Sequence, residues 1–147
     1  MKTYSPAQTR ELGARLARSL RPGDVLCLWG DLGAGKSELA RGVAAGLGVT
    51  GPVASPSFTI MNVYTDGRLP LYHFDWYRLQ SAEELYELGL DEYLLGDGVC
   101  LVEWPSACPE AIPAARLDVS LAPAGDDERE ITLTPRGGFR AIEEDAR

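Results

Sequence analysis

The sequence predicts one α/β domain: a mostly parallel sheet with an antiparallel hairpin and late antiparallel strands, flanked by helices. Three observations predict it. A short apolar run, Val25–Trp29, leads through a glycine-rich loop into a helical stretch over 36–47; strand, loop and helix in that order are the unit of a parallel sheet. Two more apolar runs, Leu71–Asp75 and Val99–Glu103, each close on an acid, and near-continuous apolar runs mark strands covered on both faces. Residues 117–121 and 130–134 alternate instead, as half-covered antiparallel strands do.

The elements follow in order. Ser5 can cap a first helix, Pro6 suits its first position and Gln8 completes a capping box. Leu12, Leu16 and Leu20 then give one buried stripe, and Pro22-Gly23 ends the helix. The second helix, over 36–47, ends at Gly46 and Gly48. Strand-like runs over 58–64 and 71–75 flank Asp66-Gly67, which predicts a hairpin. Ser81 and Glu84 form a second capping box, with Leu85, Leu88 and Leu95 lining its helix. Pro105, Pro109 and Pro113 make the next stretch irregular, and the polar tail over 135–147 is expected to fray. No repeat or linker divides the 147 residues, so a single domain over 1–147 is expected.

Composition excludes several classes. No apolar run approaches the roughly 18 residues of a membrane span, and MKTYSPAQTR lacks the apolar core of a secretory signal. A cytoplasmic location is the expectation. Cys27, Cys100 and Cys108 fit no zinc spacing, and one histidine excludes a His-rich metal site. Net charge is −8, split as +3 over residues 1–50 and −11 over 51–147. So acidic a chain is a poor general binder of nucleic acid. Arg10, Arg15, Arg18 and Arg21 are the one candidate basic patch, and they read first as a solvated helix face.

Chemistry enters with Gly30-Asp31-Leu32-Gly33-Ala34-Gly35-Lys36-Ser37, which fits GxxxxGK[ST], the phosphate-binding P-loop. Glycines let successive N–H groups turn toward phosphate oxygens, and the helix that follows adds its positive end. Lys36 supplies a cation for the β- and γ-phosphates, and the Ser37 hydroxyl is a hard ligand for Mg²⁺. Glu103, at the carboxyl end of a buried strand, is the candidate second metal-side carboxylate. Asp75 ends another such strand and could order a water or hold the metal through water. His73 shares its face and reads as hydrogen-bonding a neighbour rather than as a base. Ser55-Pro56-Ser57-Phe58-Thr59 is either a plain turn or a γ-phosphate-sensing segment. No Asn-Lys-x-Asp sequence points to guanine, and no Arg-rich lid points to a small-molecule kinase.

These residues resemble the bacterial TsaE (YjeE) family of tRNA threonylcarbamoyladenosine biosynthesis ATPases. The resemblance covers nearly the whole chain: Thr9 and Leu12-Gly13, GDLGAGKS, SPSF, HFDWYRL, LGLDEYL and VCLVEWP stand in the family's order, and the Pro113 and Leu117 spacing and Arg129 also fit. It implies ATP and Mg²⁺ as ligands, with Ser37 and Glu103 on the metal and Asp75 needed for hydrolysis. It also implies that Arg129, Gln8 and Thr9 lie against the nucleotide, and that Trp104 sits near the site and reports on binding. TsaB- and TsaD-type partners are implied, TsaD transferring the threonylcarbamoyl group to adenosine 37 of tRNA. Three positions depart from the pattern. Ser37 replaces a usual Thr but keeps the hydroxyl, Glu38 replaces Thr or an apolar residue, and Ser57 stands where Thr is usual. The expectation is a slow ATPase, activated by partners. The alternatives are an ATP-gated binding module with incidental hydrolysis, or a small-molecule phosphotransferase.

Overall fold

The apolar runs form the centre of one seven-stranded sheet. The computed structural model describes residues 1–31, 33–56, 59–140 and 142. The strands are β1 (Lys2–Thr3), β2 (Val25–Trp29), β3 (Met61–Tyr64), β4 (Leu71–Asp75), β5 (Val99–Glu103), β6 (Arg116–Pro123) and β7 (Arg129–Arg136); the helices are α1 (Pro6–Ala17), α2 (Lys36–Gly46) and α3 (Ala82–Glu87). The order across the sheet is β1-β7-β6-β2-β5-β4-β3. The central four strands, β6-β2-β5-β4, run parallel. Antiparallel partners border them: β3 on one side, β7 and β1 on the other.

Because side chains alternate along a strand, β2 sends Leu26 and Leu28 into one core with α1 and α2, and Val25 and Cys27 into a second with α3. Helices α1 and α2 meet almost backbone to backbone. A Cβ on Gly13 would lie 2.5 Å from the Leu39 carbonyl oxygen, and one on Gly42 would strike the Arg10 carbonyl. The hairpin tip locks beneath this pair: the Arg68 amide donates to the Leu47 carbonyl at 2.7 Å, and its guanidinium to the Ala17 carbonyl at 2.6 Å.

Several expectations change in detail. Ser5 caps α1 as expected, accepting from the Gln8 amide at 3.1 Å, but Gln8 reaches back to the Tyr4 amide rather than to that of Ser5. Residues 2–3, unassigned in the sequence, form β1 against Glu130 and Arg129. The second capping box is half made: Ser81 makes no side-chain cap, while Glu84 accepts from the Gln80 amide. Leu88 and Leu95 are 57% and 61% exposed, because α3 stops after one and a half turns at Gly89, whose φ is 71°. The hairpin strand expected from 58 begins at Met61; Phe58 lies outside the described residues. The ladder of β7 extends to Arg136, past the start of the expected tail. Pro135 and Arg136 pair with Leu117 and Arg116 in the ladder, and Phe139 packs on the core. Arg140 grips Asp24 at 2.7 and 3.0 Å and donates to the Ser19 carbonyl. Residues 141 and 143–147 are outside the described set.

Candidate functional site

The carboxyl ends of β2, β4 and β5 bring the site together. Register pairs Leu28 with Glu103 and Asp75 with Glu103, so the loop after β2 opens beside both acids. Gly35 holds that loop in place: its φ of 99° is left-handed, and a side chain there would be strained. Helix α2 then starts at Lys36 without a side-chain cap. Its first-turn N–H groups therefore stay available to an anion.

A cavity of about 320 Å³ is lined by Gly33, Gly35, Lys36, Ser37, Glu38, Ser55, Asp75, Glu103, Trp104 and Arg129. Lys36 is 6% exposed, and its Nζ has no hydrogen-bond partner among the described residues. The ammonium instead lies over the Trp104 ring, 3.7 Å from its centroid. Burial lowers the Lys36 pKa below its ordinary value, and the nearby carboxylates of Glu103, Asp75 and Asp31 oppose that shift. Trp104 itself has a left-handed backbone at φ 56° and packs against the Tyr77 ring at 5.0 Å between centroids, tilted by 52°. Asp75 Oδ1 accepts from the Tyr77 amide at 2.9 Å, closing the turn after β4. His73 does hydrogen-bond a neighbour: its Nε2 lies 2.7 Å from Glu103 Oε2, with both side chains buried.

Arg129 enters from the start of β7. Its Nη2 donates to the Gly33 carbonyl at 2.9 Å and its Nη1 to the Glu128 carbonyl at 2.8 Å; its buried Nε has no partner among the described residues. A small recess lined by Pro6, Thr9, Gly35, Glu38, Asp127 and Arg129 adjoins the loop. Thr9 is therefore beside the site, although its hydroxyl is bonded to Thr3 at 2.7 Å.

The remaining expected residues are placed as follows. Gln8 lines neither space and is turned to Tyr4. Asp31 lines a neighbouring cavity of about 280 Å³, beyond Trp104 and next to Trp29. Ala34 is buried under the loop. Ser55 lines the main cavity, whereas Thr59 is exposed and donates to Asn62 Oδ1 at 2.7 Å. Leu32 and Ser57 lie outside the described residues.

The sequence reading singled out Glu38 only as a departure from the family pattern, and the contact of Trp104 with Lys36 escaped it. Glu38 bridges the helices, accepting from Arg10 at 2.8 Å and Arg41 at 2.7 Å. The stacking of Trp104 on Lys36 needed the backbone reversal after β5, for which no glycine gave a signal. Among the described residues no group of three or more His, Cys, Asp or Glu side chains is placed to hold a metal alone. Cys27, Cys100 and Cys108 are free and buried, and desolvation is the main cause that raises Cys27 and Cys100 to about 12.

The fold and this site define an α/β protein whose strand, glycine-rich loop and helix open at the carboxyl edge of a central parallel sheet. The family described as "Threonylcarbamoyl adenosine biosynthesis protein TsaE" matches residues 3–131. The chain belongs to the TsaE family. It is 52% identical to the tRNA threonylcarbamoyladenosine biosynthesis protein TsaE of Bacillus subtilis, over 92% of this chain and 85% of that protein. Against the TsaE protein of Treponema pallidum the identity is 40%, over 88% and 95%. The crystal structure of YdiB from Bacillus subtilis superposes with a TM-score of 0.81 at 49% identity, covering 93% of this chain and 84% of that one.

Proposed function

We propose that this chain binds ATP·Mg²⁺, hydrolyses it slowly, and supports threonylcarbamoyl transfer to adenosine 37 of tRNA together with TsaB- and TsaD-type proteins in the cytoplasm. One observation carries the nucleotide reading. A buried lysine ammonium without a hydrogen-bond partner stands at an uncapped helix start, in one cavity with a serine hydroxyl and two carboxylates. A buried ammonium whose N–H groups meet no acceptor is costly, and phosphate oxygens would supply those acceptors. The donor set also fits Mg²⁺, which takes few protein oxygens and keeps phosphate and water ligands. Ser37 and Glu103 are the groups that would hold it.

Each residue has work within that reading. The loop amides and Lys36 take the phosphate oxygens. Asp75, fixed by the Tyr77 amide, orients a water toward the terminal phosphate. Bound Mg²⁺ would supply charge neutralisation at the phosphates. Arg129 holds the Gly33 carbonyl and the turn at 125–128, with both terminal nitrogens committed to carbonyls. It acts as a strut for the loop rather than as a finger on the γ-phosphate. A missing finger is worth about 10³–10⁵ in rate, so turnover by the isolated chain should be slow.

The test is ATP hydrolysis by the purified chain, alone and with the two partners and tRNA. Slow turnover that rises in the mixture is expected. Fast turnover alone would overturn the partner requirement. Asp75→Ala separates the gated-module alternative: loss of tRNA modification with ATP binding intact supports a need for hydrolysis, whereas retained modification favours gating.

A further inference from the structure

We propose that His73 is a positioning residue that sets Glu103 for its cation, an inference that rests on the ATP·Mg²⁺ reading. Strands β4 and β5 are parallel neighbours, with His73 opposite Leu101 and Asp75 opposite Glu103. His73 thus stands two residues before the acid pair, on the same strand face as Asp75. Its Nε2 meets Glu103 Oε2 at 2.7 Å, with the side chains 3% and 7% exposed. Its other ring nitrogen, Nδ1, is buried with no partner among the described residues. All the polar bonding recorded for this imidazole is therefore directed at one oxygen of Glu103.

A glutamate has three side-chain torsions to fix, and a cation needs its oxygen held within a few tenths of an ångström. A carboxylate partner selects the tautomer with the proton on Nε2; a ring so rooted on the adjacent strand fixes Oε2 and would leave Oε1 to serve the cation. Metal-binding carboxylates are generally held by such an outer hydrogen bond, and its loss costs about 10–100-fold in metal affinity. A histidine retained for packing alone would not need this single directed bond, and an apolar residue would avoid the orphaned Nδ1.

The experiment titrates Mg²⁺ into the full chain with a non-hydrolysable ATP analogue, following binding calorimetrically, and repeats the analogue titration in EDTA. His73→Leu should leave the EDTA affinity within about two-fold and raise the half-saturating Mg²⁺ concentration about 10–100-fold. His73→Gln, whose amide nitrogen reaches the Nε2 position, should restore the Mg²⁺ requirement to within a few-fold. His73→Asn, whose amide reaches only the Nδ1 position, should not. In a Glu103→Gln background, His73→Leu should add little further. The inference is overturned if His73→Leu keeps the wild-type Mg²⁺ dependence, or if Gln and Asn are equally impaired at wild-type thermal stability. A wild-type chain that binds the analogue with no response to Mg²⁺ would instead overturn the metal reading itself, and this inference with it.

Discussion

The Lys36 ammonium lies 3.7 Å from the centroid of the Trp104 ring. An ammonium over an indole face is stabilised by about 0.5–2 kcal/mol, more when desolvated. Phosphate oxygens offer it a stronger partner. Nucleotide should therefore draw Lys36 from the ring and change the Trp104 emission. Trp104→Phe should abolish most of that change, since Trp76 lies fully buried in the other core and Trp29 donates to Asp118. If the nucleotide response survives in Trp104→Phe, the stacking has no such role. Asp118 makes a second case, concerning stability. Burial alone would raise its pKa, but hydrogen bonds from Arg116, Trp29 and Arg136 outweigh burial and hold it below its ordinary value. A carboxylate lowered in the fold adds stability above its unfolded pKa, and that stability is lost as pH falls through the lowered folded value. Asp118→Asn should cost about 1–3 kcal/mol at neutral pH and flatten the further loss on acidification below about pH 4, as measured by urea unfolding across a pH series.

Helix α2 is the element on which the site depends, since its first turn faces the cavity and its middle abuts α1. That middle explains Gly42. Adding one methyl would drive it into the Arg10 backbone, which cannot rotate away as a side chain could. Gly42→Ala should cost about 1–3 kcal/mol by overpacking, despite alanine's better helix propensity; unchanged thermal stability would refute the close packing. The strands were legible because their apolar runs are bounded by acids and glycines: Val25–Trp29, Leu71–Asp75 and Val99–Glu103 have the bounds read from the sequence. The loop glycines and Lys36-Ser37 were legible for the same local reason. What stayed hidden depends on tertiary partners. Residues 2–3 become a strand only because β7 offers an edge. The leucine spacing after Leu85 suggested a longer α3, but Gly89 turns the chain before Leu88 can be buried. No local pattern marks Gly42, because its contact with Arg10 crosses between helices. The bond from His73 to Glu103 depends on which strands are neighbours, which periodicity does not reveal.

Across the whole molecule the sheet has two ends with different duties. Lys36, Asp75 and Glu103 gather at the carboxyl end of the parallel strands. At the other end Asp24, just before β2, is 8% exposed and ties one distant segment, at Arg140, to its own turn. It accepts from the Arg21 amide at 2.7 Å and from Arg140 on both oxygens, while Arg140 also holds the Ser19 carbonyl. This clamp fastens the C-terminal segment to the α1–β2 turn. It lies the length of β2 from the glycine-rich loop, about 17 Å for five residues at strand rise. Perturbations that far apart with no shared partners are close to additive. Arg140→Ala leaves a largely buried carboxylate short of its charged partner and should lower stability by about 1–3 kcal/mol, seen as a fall in Tm. Its affinity for the ATP analogue should stay at the wild-type value. Asp75→Ala should show the opposite pattern, with hydrolysis lost and Tm little changed, because its one recorded side-chain bond closes a local turn to the Tyr77 amide. If Arg140→Ala weakened nucleotide binding at temperatures where it remains folded, the two ends of the sheet would be coupled, and this division between them would be wrong.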